Sequence, residues 1–470
     1  MRLVIRHIVI AFMLYAQCMN VLAQEDLFSI QPLNINTHDY DEECAVPYKD
    51  GIVFLSNRTQ SALIVRVDTA GKPLNDIFFS KQKDNKKFAA PDLFSKELKS
   101  KEHESAVCFD KKGTVIWFAR VEDEKRTALY SATLGNLGWG NITPFPHNMS
   151  GYSFGHPNIS PDGKRMFFVS NRPGGVGGRD IWMCTATRSG WGAPKNLGNE
   201  INSPYDEYYP FYHANGKLYF TSNRPGGHGR FDIYWSMEVN GKWTTPKPME
   251  SPINSKADDY AYVSDSTDRH GYFSSTRNRS GDIFSFEFDF PVFDNPAPIK
   301  KNTYNYKFTE TSIGNDTSTF LYEWDFGDGV KSRGRDLIIR HTFPSTGDYL
   351  VQLNLIDSIT GEVMLNQAAN IVAVRDAEQP VITAPDSAFT EEKVNFDAEK
   401  TYLPDKKIKG YYWDFGDGTL IQGKSVGHIF SLPGKYKVVL GVIFNVKEKE
   451  QMETISVYRD IFVEEKRKTP

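Results

Sequence analysis

Four hundred and seventy residues exceed what one hydrophobic core organises, so about three domains are expected. The chain is 40% hydrophobic and 24% charged, which excludes wholesale disorder and a collagen-like repeat. Its 55 Lys and Arg against 59 Asp and Glu give a net charge of -4, without the basic excess that a nucleic-acid partner requires. Aromatics reach 13% alongside 36 Gly and 25 Pro, a balance that favours β-structure with many turns.

The first segment reads as an address. Met1, Arg2 and Arg6 form a positive start, and the apolar run from Ile8 to Ala16 is too short to span a membrane. Val21-Leu22-Ala23 fits cleavage before Gln24, so residues 1–23 read as a signal peptide. Cys18 follows Tyr15-Ala16-Gln17, a poor match to a lipidation site, which wants small residues there. No later run is long and apolar enough for a transmembrane helix, so the mature chain is expected to be exported, and soluble or peripherally attached. Three cysteines remain, Cys44, Cys108 and Cys184, at no metal-ligand spacing; they read as buried free thiols.

Internal repeats then decide the architecture. Ile201-Asn202-Ser203, Asp206-Glu207, Thr221-Ser222-Asn223-Arg224 and Asp232-Ile233-Tyr234 recur in order. Their counterparts include Ser170-Asn171-Arg172 with Asp180-Ile181-Trp182, and Ser274-Ser275-Thr276-Arg277 with Asp282-Ile283-Phe284. Arg58, Arg120, Arg172, Arg224 and Arg277 are spaced by 62, 52, 52 and 53 residues, which marks five units over 24–292. Each unit reads as four short strands. One such sheet cannot bury both faces, so the units stack radially as a β-propeller. The fifth unit stops after Asp289, whereas Gln31 to Asn36 match Pro194 to Asn202; the N-terminus is therefore expected to complete the last blade and remove two free edges.

Beyond residue 292 a second repeat begins. Tyr322-Glu323-Trp324-Asp325-Phe326-Gly327-Asp328-Gly329 recurs as Tyr411-Tyr412-Trp413-Asp414-Phe415-Gly416-Asp417-Gly418, and His341 recurs as His428. Alternation at Tyr349, Val351, Leu353 and at Tyr436, Val438, Leu440 marks strands with one buried face. These segments resemble PKD domains, immunoglobulin-like β-sandwiches, expected at 296–376 and 380–466. The expected fold is all-β, a five-bladed β-propeller followed by two immunoglobulin-like (PKD) β-sandwiches.

The Ser-Asn-Arg and Asp-Ile-aromatic pattern resembles the WD-repeat-like blades of the TolB family, and still more the propellers of type IX secretion-related envelope proteins of Bacteroidota. That resemblance implies the periplasm or outer-membrane periphery and a scaffolding role in secretion or gliding machinery. Such proteins commonly carry helical repeats before the propeller and an OmpA-like domain after it. Neither is present up to Pro470, so attachment to the envelope is expected to go through a partner.

The repeated arginines and Asp180, Asp232 and Asp282 invite an active-site reading. Repetition points instead to a structural device, an arginine pairing with the aspartate that begins the next strand. Trp324, Asp325, Trp413 and Asp414 belong to the sandwich motif, whose aspartates read as turn formers ahead of calcium ligands. Phosphate cradles are not expected either: Gly174 to Gly178 and Gly226 to Gly229 lead into strands rather than helices. Gly151-Tyr152-Ser153-Phe154-Gly155 meets a hydrolase pattern but lacks the strand-to-helix elbow that makes it work. Asp41, Glu42, Asp206, Glu207, Tyr208, Asp258 and Asp259 share a register expected to face the channel mouth, where structural and partner-binding roles both stand ahead of paired-carboxylate hydrolysis. The expected protein is a non-enzymatic scaffold without cofactor, binding envelope proteins such as secretion or outer-membrane components. The alternative is a surface or secreted carbohydrate-binding protein.

Overall fold

A computed structural model of the chain describes residues 27–59, 67–68, 71, 73–83, 86–122, 126–278, 280–311, 320–446 and 452–466. The leader expected at 1–23, with Cys18, lies outside the described residues. Blade one comprises Glu42–Tyr48, Gly51–Ser56, Asp76–Lys81 and Asp92–Leu93. Blade two follows from Glu104–Phe109 to Gly138–Pro144, blade three from Phe154–Ile159 to Lys195–Asn196, and blade four from Glu207–Tyr212 to Lys247–Pro248. Blade five contributes Asp259–Ser264, His270–Ser275 and Asp282–Phe288.

The second strand is an apolar run in blades one and three, Ile52 to Leu55 and Met166 to Val169, because both its faces are covered. Hydrophobic clusters accordingly fill the gaps between blades. Val53, Leu55 and Ile77 meet Val107, Ile116 and Phe118 between blades one and two. Phe167 and Ile181 meet Leu218 and Phe220 between blades three and four. The gap between blades five and one joins Ile283 to Ile35, Ile52 and Phe54. Among the described residues each of these clusters draws on two or more blades rather than one, which is why the ring must close.

Closure uses the N-terminal strand. Phe28–Pro32 runs antiparallel to Asp282–Phe288, pairing Phe28 with Phe288 and Pro32 with Phe284. Beyond the strand, the Asn36 side-chain amide donates to Ile283 O at 2.9 Å and accepts from Ile283 N at 3.1 Å. Asn202 grips Ile181 in the same two-point way at 3.0 and 2.8 Å, and Asn254 grips Ile233 at 2.9 and 2.8 Å. The repeated Ile-Asn thus supplies an amide that stands in for one residue of an outer strand.

In the second sandwich Trp413 and Phe415 are fully buried, against Phe396, Val438 and Leu440. The first sandwich repeats this around Trp324, Phe326 and Leu353. His428 stacks on Phe415 at 4.0 Å and contacts the Asp417 carboxylate at 2.9 Å; His341 does the same with Phe326 at 3.9 Å and Asp328 at 2.7 Å. The matched histidines therefore brace the Asp-Phe-Gly-Asp-Gly turn. Asp325 and Asp414 accept from the amides of Gly327 and Gly416, at 3.1 and 2.9 Å, as turn-forming aspartates do.

The second sandwich meets the propeller. Phe290 lies edge-on to Tyr412 at 5.5 Å, and Lys247 of blade four donates to Thr419 Oγ1 at 2.9 Å beside Asp417 at 3.8 Å. Ala297–Pro298, expected to open the first sandwich, instead pairs in parallel with Val457 and Tyr458 of the second. Ser387–Phe389 covers the same edge further along. Among the described residues, the matching strand of the first sandwich, Val363–Val374, has no such cover.

Two outcomes test this account. Asn36→Ala removes both bonds to a buried strand and should lower stability by about 1–3 kcal/mol, read from urea unfolding. Burial alone would raise the Asp417 carboxyl, but the hydrogen bond and charge of His428, with Lys247, outweigh it and hold the pKa at about 2. The unfolded carboxyl titrates near ~3.9. This stabilisation, of about 2–3 kcal/mol, is complete above that value and is lost as pH falls through the folded one. Thermal melting should show wild type above Asp417→Asn at neutral pH, with the margin closing between about pH 4 and pH 2.

Candidate functional site

Each inner strand opens with two acids or their substitutes, and the structure separates their roles. Glu42, Glu207 and Asp259 are 0% exposed. They pair with Arg58, Arg224 and Arg277 of the same blade at 2.8, 2.8 and 2.6 Å, and Glu104 pairs with Arg120 at 3.4 Å. Each arginine also reaches a backbone carbonyl, that of Ile35, Leu98, Ile201 or Ile253. Its guanidinium lies over blade aromatics, for example Phe220 at 5.0 Å and Tyr234 at 5.3 Å. Burial raises the Glu42 and Glu207 carboxyls, against the pull of their arginines.

This corrects the expected pairing with Asp180, Asp232 and Asp282. Those aspartates turn away to the hairpin loops: Asp180 accepts from the amides of Val176 and Gly177 at 2.5 and 3.1 Å, and Asp232 from Gly229 N at 3.0 Å. Asp282 accepts from Ser280 Oγ at 3.3 Å. The glycine loops therefore fold around a carboxylate of their own chain. Blade three departs from the rest, because Phe154 occupies the position of the acid. Arg172 lies over Trp182 at 5.0 Å, and its Nε and Nη1 have no hydrogen-bond partner among the described residues.

The other acid of each pair crosses to the preceding blade. Asp41 accepts from Gly281 N at 3.0 Å, Asp206 from Arg179 N at 2.9 Å, and Asp258 from Phe231 N at 3.2 Å. Backbone bonds run beside them, from Glu42, Glu207 and Asp259 N to Gly281, Arg179 and Phe231 O, each at 2.8 Å. Side-chain carboxylates thus tie blade to blade across gaps that strand pairing does not cross. The Ser-Asn-Arg asparagine completes the device, since Asn57 and Asn223 accept from Asp41 N and Asp206 N at 2.8 and 2.9 Å.

Directly after the acids the inner strands bulge. The register shifts between Glu43 and Val46, Gly155 and Asn158, Tyr208 and Phe211, and Tyr260 and Val263. Cys44, His156, Tyr209 and Ala261 occupy the bulges with φ of 56°, 49°, 49° and 55°. Bulges re-aim side chains, and these four positions form the waist of the axial channel. Two cavities meet there, of about 420 and 580 Å³, and both are lined by His156 and Tyr209. The two rings stack at 3.9 Å and 7°.

The smaller chamber carries mixed charge within aromatic walls. Glu43, Arg179, Tyr208, Phe231, Asp258 and Tyr260 line it. Tyr260 donates to Glu43 Oε1 at 2.7 Å, Arg179 to Tyr208 Oη at 2.7 Å, and Arg230 holds Asp258 at 2.7 Å. Burial raises the Glu43 carboxyl, and burial together with Arg179 lowers His156 to about 3, so that its ring is neutral near pH 7. Cys44 and Cys108 are buried free thiols whose pKa burial raises, and Cys184 is pushed up to about 12 by the same cause. Such a chamber can bind by stacking and charge-assisted hydrogen bonds.

Of the residues expected at the channel mouth, Tyr208 and Asp258 line the chamber. Glu42, Glu207 and Asp259 lie in arginine pairs, while Asp41 and Asp206 serve the blade-to-blade ties. His156 and Arg179 were not singled out from the sequence. His156 stands where other blades have Cys44, Tyr209 and Ala261, and Arg179 where they have Phe231 and Gly281, so neither position repeats and the repeat pattern carried no signal for them. Among the described residues no group of three or more His, Cys, Asp and Glu is placed to hold a metal ion, and no helix is long and apolar enough to cross a membrane.

Comparison with known proteins identifies domains in the C-terminal part of the chain. PKD-domain family models match residues 290–362 and 377–457, so the chain carries two PKD domains. Collagenase ColA of Clostridium perfringens is 36% identical over 74 residues, 16% of this chain and 7% of that protein. Polycystin-1 of Homo sapiens is 25% identical over 148 residues, 30% of this chain and 3% of that protein. The chain thus spans less than a tenth of the length of these relatives. The structure of a putative TolB from Agrobacterium tumefaciens aligns over 74% of this chain and 88% of its own, at 14% identity and a TM-score of 0.32.

The arginine pairs should dominate ring stability. Glu207→Ala leaves Arg224 partly buried without its carboxylate and should cost about 3–5 kcal/mol in urea unfolding. Adding Arg224→Ala should cost much less than the same change in wild type.

Proposed function

We propose that this protein is a non-enzymatic binding protein of the bacterial cell envelope that holds protein partners at the small chamber of its propeller channel. One observation carries the reading: the repeated acids are consumed in arginine pairs and blade-to-blade ties, whereas Glu43, Arg179 and the surrounding tyrosines face an open cavity. A chamber of this size and lining fits recognition of a side chain or short segment. The PKD domains support a role outside the cytoplasm, and the leader-like start of the sequence supports export. The second sandwich packs on blade four and on Phe290 beside the ring. Association with type IX secretion or gliding machinery follows from the likeness of the blade motifs and is the finer form of the proposal.

A glycan-binding reading has its own support. Ser105, Thr127, Ser153, Thr221 and Thr276 bring a hydroxyl-rich rim to the same aromatic chamber. The two are separated by affinity purification from crosslinked envelopes with mass-spectrometric identification, using wild type and Ser105→Trp, whose indole fills the chamber. Secretion or outer-membrane subunits recovered with wild type and lost with Ser105→Trp are the expected outcome. Retention on insoluble glycan without protein partners, or equal recovery with both forms, would count against the proposal.

A further inference from the structure

We propose that the small chamber is a receptor for a lysine side chain presented by an extended partner segment, with Glu43 as its counter-charge. This rests on the channel reading above and names the chemistry it recognises. The charges in the chamber are laid out unequally. Asp258 is already neutralised by Arg230 at 2.7 Å, and Arg179 is engaged by the Tyr208 phenol at 2.7 Å. Glu43 differs from Asp258: like Arg179 it has a neutral phenol as hydrogen-bond partner, Tyr260 at 2.7 Å, and no cation pairs with it among the described residues. Withdrawn from water without a cation, the carboxylate form of Glu43 is costly, which is why burial raises its pKa, and a ligand ammonium beside it would offset that cost.

The surroundings favour an ammonium. Tyr260 lies beside Tyr209 at 5.6 Å and Tyr209 beside Tyr208 at 6.2 Å, so a row of phenol rings extends from Glu43 across the chamber. Ring faces attract cations, and a lysine stem is apolar enough to lie against them. Blade five accommodates the carboxylate by having Gly281 at the crossing point, where any Cβ would collide with the Glu43 side chain. Blades three and four have Arg179 and Phe231 at that position, so the acid is particular to one side of the channel. Arg179 belongs to blade three, away from Glu43 of blade one. A ligand that gives its ammonium to Glu43 can therefore offer a backbone carbonyl towards the guanidinium, which fits lysine within a peptide better than a free amine. Neutral His156 on the floor adds no opposing charge near pH 7.

Isothermal titration of the full chain with N-acetyl-lysine methylamide, its norleucine counterpart and acetate tests this. The lysine probe should bind, the norleucine probe should not, and both Glu43→Gln and Ser105→Trp should weaken the lysine probe by about tenfold or more. Unchanged melting curves would show that the variants fold. Equal binding of norleucine would reduce the chamber to an apolar cavity, and lysine binding unaffected by Glu43→Gln would remove the counter-charge; either overturns the proposal. Acetate bound more tightly than lysine, and lost in Arg179→Met, would overturn it in favour of an anion site. Should no probe bind while Ser105→Trp still loses its envelope partners, the lysine assignment fails and the channel reading survives. Should Ser105→Trp lose nothing, the channel reading fails as well.

Discussion

A carboxylate buried at the head of an inner strand, held by an arginine at the end of the next, is the constraint on which this molecule depends. Burial of a charge is tolerable only when it is paired and fully hydrogen bonded. Arg58, Arg224 and Arg277 meet that condition through a carboxylate, a serine hydroxyl and a backbone carbonyl each. The pair fixes where the second strand ends, and so where the neighbouring aspartate emerges to reach the blade before it. The ring therefore has directional ties in addition to the non-directional packing of its interblade cores.

The same economy explains the channel. Once the leading acids are committed, the chain bulges at Cys44, His156, Tyr209 and Ala261, and the side chains beside those bulges line the cavities. The proposed recognition site thus lies on the strands closest to the axis, beside the arginine pairs of the ring. The second sandwich meets the ring through Lys247 and Asp417, the latter also held by His428. In the first sandwich His341 and Asp328 keep the same brace.

Much of this was legible in the sequence. Regular arginine spacing gave the number of blades, and the match of Gln31–Asn36 to Pro194–Asn202 gave closure; Asn36 and Asn202 indeed make equivalent bonds. The doubled Trp-Asp-Phe-Gly-Asp-Gly gave the sandwiches. What could not be read was the partner of each repeated arginine, because two acids per unit, Glu207 and Asp232 for instance, lie at plausible separations and only the pleat decides between them. Bulges were also hidden, since Cys44, His156, Tyr209 and Ala261 share no residue type. The attachment of Ala297–Pro298 to the second sandwich was invisible for another reason: a two-residue parallel pairing leaves no periodic signal.

The central claim is that partners are held at the small chamber rather than on the outer rim of the blades. A structure of the chain crosslinked to its envelope partner tests it most directly. The account predicts a partner side chain lying among Tyr208, Tyr260 and Phe231 with its charge at Glu43. A partner seated wholly on the outer strands or on the first sandwich, with the chamber holding only solvent, would contradict it.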